Sequence, residues 1–172
     1  MQRLEAGFAL FVTLLGAVFG VIIAAIALSV TTDNLMRNFG LGNIPWLNEV
    51  AEYLLYTGTF LAAPWALRMG AHVRVDILVS NLPRAAALRL EVLLDVLGLT
   101  IAGLLCYYGI EAVHDAWVAD AKQYKMLTVS EWLLLVPFAL ASLLIAIEFV
   151  FRIMRARRIV PLEESVLEKS GF

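Results

Sequence analysis

The sequence predicts an all-α integral membrane protein with four transmembrane helices and both termini on the cytoplasmic side. Three observations carry that expectation: four long apolar stretches, a composition poor in charge, and an uneven division of Lys and Arg among the connections. Of the 172 residues, 62% are hydrophobic and 16% charged, and the mean hydropathy is +0.84. A soluble domain carries about 25% charged residues, so lipid is the expected solvent. The four spans and their connections use nearly the whole chain, so residues 1–172 are expected to form a single membrane domain.

The first span, residues 6–30, contains no charged side chain. At 1.5 Å per residue it reaches about 37 Å, enough for a hydrocarbon core of about 30 Å with some tilt. A cleaved signal peptide is the rival reading of residues 1–30, with Ala25-Ile26-Ala27 resembling a cleavage site. Apolar cores of signal peptides run only about 7–15 residues, so a retained span is favoured. The second span, residues 46–67, follows Pro45, which suits a helix start, and Asn43 is a candidate cap. The third and fourth are residues 88–112 and 130–153. Pro64 and Pro137 fall inside spans two and four, where each removes a backbone donor and should bend its helix. Residues 154–172 are expected to form a cytoplasmic tail, with Arg155, Arg157 and Arg158 at anionic headgroups.

Orientation follows from charge. Ten of the thirteen Lys and Arg residues fall at the two termini and around the connection between spans two and three. Positive segments stay cytoplasmic, which places both termini and that middle loop inside. Trp46, Trp117 and Trp132 then share the outer interface, where indole favours the headgroup layer, with Trp65 near the inner one. In span one, Gly16, Gly20 and Ala24 recur every four residues and form a candidate packing seam. Packing inside the bundle is favoured over dimerisation. Gly98 and Ala102 make a second, shorter seam.

Ionisable residues in apolar helices usually face protein or water. Asp95 lies one to two turns inside span three, at a depth similar to Arg68 and Arg152, so an intramembrane ion pair of Asp95 with Arg152 is expected, Arg68 being the other candidate. The alternative is a proton relay, and no deep group in the other spans could receive the proton. Glu148 and Arg152, four apart, form a favourable helix pair. Glu49 and Glu52 share one face at the outer start of span two. Two carboxylates alone are a thin cation site, and a polar helix start facing water or a partner is preferred.

Several chemistries lack their groups. His72 and His114 lie at opposite membrane faces, which prevents a bis-histidine haem. Cys106 is the sole cysteine and cannot form an intrachain disulfide. There is no glycine-rich phosphate loop, no recognisable nucleophile–base spacing, and no clustered basic footprint for nucleic acid. Neither an enzyme nor a bound cofactor or metal is expected.

The middle loop around His72, Arg74 and Asp76 alternates polar residues with Val73, Val75 and Ile77, which suits a short extended piece. Val75, Leu78, Val79 and Leu82 also fit a short amphipathic helix in the cytoplasmic interface. The mixture of His, Arg and Asp suits a defined protein contact. At Glu49 and Glu52, Ala66-Leu67-Arg68, Gly70, His72, Val75-Asp76 and Leu82-Pro83, the chain resembles the small membrane subunit of tripartite ATP-independent periplasmic (TRAP) transporters, the DctQ-like family. That block covers about a quarter of the chain; spans one and three carry no strong signature of their own.

The resemblance implies a non-catalytic scaffold subunit in the bacterial inner membrane. Its partners would be a large permease subunit, which carries the substrate and sodium sites, and a periplasmic substrate-binding protein. Uptake of an organic acid would be driven by an ion gradient without ATP. Arg68, His72, Arg74 and Asp76 are then the expected assembly contacts on the cytoplasmic side, and Glu49 and Glu52 those nearer the periplasm. A self-sufficient oligomeric carrier or channel, formed through Gly16 and Gly20, is the competing expectation.

Overall fold

The computed structural model describes residues 2–69 and 84–170. Among these residues the chain forms four helices, α1 (Gln2–Asn38), α2 (Leu47–Arg68), α3 (Arg84–Val118) and α4 (Glu131–Ser170), with a small hairpin between the last two. Three of them contain segments long and apolar enough to cross a membrane: Arg3–Asn38, Arg89–Val118 and Glu131–Arg155. Helix α2, 22 residues long, reaches about 33 Å at 1.5 Å per residue, but Glu49, Glu52, Tyr53, Tyr56 and two threonines dilute its apolar character. The helices outrun the expected spans. Helix α1 continues through Thr31, Thr32 and Asp33, and its hydroxyls bond back to carbonyls four residues earlier, as in Thr31 Oγ1 to Ala27 O at 2.7 Å. That local bond satisfies the hydroxyl without opening the helix. Helix α4 continues past residue 153 to Ser170, so the segment expected as a tail prolongs the last helix. The expected interfacial element around His72, Arg74 and Asp76 lies outside the described residues.

Spatial order differs from chain order. Helix α1 packs on α2, α2 on α4, and α4 on α3, so α4 sits between two helices that are consecutive in sequence. Glycines make the close approaches. Gly58 of α2 leaves room for the Phe19 ring of α1, and Gly98 of α3 does the same for Phe149 of α4. Gly109 faces Ala139 and Phe138, and edge-to-face pairs such as Phe60–Phe138 fill between α2 and α4. In lipid, such contact has to supply the association that water supplies elsewhere.

The expected seam on α1 divides. A side chain at Gly16 would meet the Trp65 indole at 2.7 Å, whereas Gly20 faces open space and Ala24 is exposed. Residues four apart drift by about 40° around a helix of 3.6 residues per turn, so the stripe rotates off α2. Trp65 spends its ring on this helix contact. Pro64 and Pro137 lie within α2 and α4, and both helices run on past them.

Helix ends at one pole of the bundle close in similar ways. After α1, Gly40 takes φ +70° while its N–H and that of Leu41 return to Arg37 O and Met36 O. After α3, Asp120 takes the left-handed position instead, with φ 45°. Both are Schellman-type stops. Helix α2 begins at Leu47 with Trp46 as its cap position and no side-chain cap bond, so Asn43 does not act as the cap. The loop before it is held by Asp33, whose carboxylate accepts from Ile44 N at 2.6 Å and from Arg37 at 2.9 Å.

Candidate functional site

Two polar clusters stand at opposite ends of the bundle. The first joins the start of α1, the end of α2, the first half of α3 and the middle of α4. Glu148 is 1% exposed, and its two oxygens meet Arg68 Nη1 at 3.1 Å and Arg155 Nη2 at 2.8 Å. Arg155 also approaches Glu5 of α1 at 3.4 Å. Asp95 is 2% exposed, and its Oδ1 accepts from Arg152 Nε at 3.0 Å. Asp95 Oδ2 is buried with no hydrogen-bond partner among the described residues. Three carboxylates and three guanidiniums thus share the cluster and tie every helix to α4.

Of the two arginines considered for Asp95, Arg152 is the one in contact, while Arg68 goes to Glu148. The i,i+4 pair of Glu148 with Arg152 gives way to an i,i+7 pair with Arg155. Seven residues return to within about 20° of the same helix face, whereas four drift by about 40°. That drift carries Arg152 toward α3 and leaves Arg155 beneath Glu148.

The second cluster pins a β-hairpin to α2. Strands β1 (Lys122–Tyr124) and β2 (Thr128–Ser130) pair antiparallel, with Gln123 opposite Val129. Isolated two-stranded hairpins are marginal in water, so the tip needs an external hold. Glu49 supplies one, accepting from Leu127 N at 3.0 Å and from Tyr53 Oη at 3.0 Å. Glu52 supplies another, with Lys125 Nζ 2.8 Å and 2.9 Å from its two oxygens. Both glutamates expected as partner contacts therefore make bonds inside the chain. Lys125 titrates above the ordinary lysine range, chiefly through its hydrogen bond to Glu52, and Lys122 does so through Asp120 at 2.9 Å. The hairpin escaped the sequence reading because its strands are three residues long and its connection lacks glycine.

Among the described residues no three His, Cys, Asp or Glu side chains stand together as a metal site. An open apolar groove of about 410 Å³ runs between α2 and α3 over α4, bordered by Ala63, Ala66, Gly98, Ala102 and Phe149. A cleft of about 250 Å³ beside the hairpin is bordered by Glu52, Tyr53, Tyr56 and Glu131. Of the remaining expected site residues, Gly16 lies between α1 and α2, Gly20 and Ala24 face outward, and His72, Arg74 and Asp76 lie outside the described residues.

Residues 26–158 match the family described as tripartite ATP-independent periplasmic transporters, DctQ component. The match runs from the second half of α1 into α4 and takes in the hairpin cluster and every member of the first cluster except Glu5. No curated protein matches the chain.

Proposed function

The chain belongs to the DctQ family, the small membrane component of TRAP transporters, and we propose that it is the non-catalytic scaffold of such a system. In this reading α2 is a fourth span, both termini are cytoplasmic, and the protein sits in a bacterial inner membrane. It braces a large permease subunit that carries the substrate and sodium sites, while a periplasmic binding protein delivers an organic acid. The ten-of-thirteen bias of Lys and Arg toward the termini and the connection between spans two and three supports that orientation.

One observation carries the scaffold reading above the self-sufficient carrier. The buried carboxylates Glu148 and Asp95 are each already matched by arginine of the same chain. A transport site needs groups that bind and release substrate or ion at the midplane, commonly at broken helices. Among the described residues the helices run through unbroken, with Glu148 held by arginine at both oxygens and Asp95 at one. Such an arrangement favours rigidity over exchange.

Assembly contacts are assigned to Arg68, His72, Arg74 and Asp76 on the cytoplasmic side, and to Glu52, whose side chain stays exposed, on the periplasmic side. A tagged large subunit encoded beside this chain should retain it through purification in mild detergent. Alanine at Arg68, His72 and Asp76 should lower that recovery and uptake with it. Full recovery and uptake by all three variants would remove the cytoplasmic assignment. Uptake by vesicles holding this chain alone would remove the scaffold reading.

A further inference from the structure

The hairpin tip is apolar, exposed and tethered. Tyr124 is 80% exposed and Met126 63%, yet Glu49 and Glu52 hold the segment between them against α2. Where the tether attaches fixes the tip's depth. Leu127 N meets Glu49 and Lys125 meets Glu52, three and six residues into α2. At 1.5 Å per residue those points lie within about 9 Å of the helix start. The tip therefore lies beside the first two turns of α2 and not beyond its start.

Other large side chains stand bare at the same level. Trp46 immediately precedes α2, and Trp117 lies one residue from the end of α3; both are exposed. The lysines around the tip are matched, Lys122 by Asp120 and Lys125 by Glu52. The result is an apolar and aromatic edge with paired charges, level with the ends of apolar helices. That combination suits the headgroup layer, where amphipathic rings are enriched. A soluble protein partner would be met more readily by a tip standing clear of the helix ends.

We propose that the hairpin is an interfacial anchor, its Tyr124 and Met126 seated with Trp46 and Trp117 in the headgroup layer of the bilayer. The anchor sets the depth of the α3–α4 connection, and the Glu49 and Glu52 tethers keep the tip from swinging into water. This inference is independent of whether the chain serves a larger permease.

Spin labelling of the full chain tests it. In a Cys106→Ala background, Met126→Cys carries a nitroxide, and the protein is reconstituted in phosphatidylethanolamine–phosphatidylglycerol vesicles. Collisions with oxygen, which partitions into lipid, are compared with those of a water-soluble nickel chelate. A label at exposed Leu104→Cys in α3 serves as the deep reference, and free nitroxide in buffer as the aqueous one. The Met126 label should fall between the two, and adding Glu49→Gln and Glu52→Gln should shift it toward the aqueous value with increased mobility. Tyr124→Cys provides a second position should Met126→Cys fail to fold. Aqueous values at both positions would overturn the anchor. So would protection from the chelate that appears only when a soluble binding protein is added, which would assign the tip to that protein.

Discussion

A carboxylate buried in an apolar bundle carries a desolvation penalty of several kcal/mol unless cations meet it, and Glu148 meets two. Glu148→Ala leaves Arg68 without its partner and Arg155 with Glu5 alone. Breaking a buried pair from one side costs about 3–5 kcal/mol, so this variant should unfold at distinctly lower denaturant in mixed micelles, followed by circular dichroism. Arg68→Ala should cost less, because Arg155 still serves Glu148. Equal losses would show that the two arginines do not share the load. Glycines offer a sharper contrast. Gly16→Leu drives a side chain into Trp65, an overpacking worth about 1–3 kcal/mol. Gly20→Leu enters open space and should stay within about 0.5 kcal/mol of the parent. At this scale the sequence was half legible. Depth along the helices brought Asp95 and Arg152 together as candidates, because charge in lipid has few places to go. Asp33 was missed, since its partner is the backbone of a loop that sequence periodicity does not describe.

Among the elements, the hairpin depends most on side chains from elsewhere in the chain. Its ladder is three residues per strand, so Glu49 and Glu52 decide whether it stays in place. Glu49→Gln should raise amide exchange at Leu127, whose N–H loses a charged acceptor, while exchange in the middle of α3 stays unchanged. The Lys125–Glu52 contact has a definite pH sense. A lysine whose folded value is raised contributes fully below the ordinary lysine value of about 10.4 and loses that contribution as pH climbs through the higher folded value. The tip should therefore keep its hydrogen-exchange protection through neutral and mildly alkaline pH and lose the Lys125–Glu52 share of it above the ordinary lysine value. Loss near neutral pH would mean that another group holds the tip. Helices were readable because length and apolarity suffice to define them in lipid. Their ends were less so: α1 and α4 extend past the apolar stretch, where back-bonded hydroxyls and surface charges are as compatible with helix as with loop.

For the whole molecule, the bundle is a row with α4 enclosed by α2 and α3, and α1 at the margin. Outer faces of α1 and α3 carry exposed Leu, Val and Ile side chains, as expected where lipid or a larger membrane partner covers them. Periodicity could not foresee this row, since neighbours in sequence usually pack together and only tertiary contact shows that α2 packs chiefly on α1 and α4 and not on α3. The row also has a consequence for synthesis. Helices α1 to α3 reach the bilayer before α4 exists, so Arg68 and Asp95 must wait there without the glutamate and arginine that later neutralise them. A ribosome-bound chain ending before Glu131 would hold Arg68 and Asp95 without Glu148 and Arg152, their partners in the finished bundle. The final helix is thus the step that completes both pairs and closes the bundle.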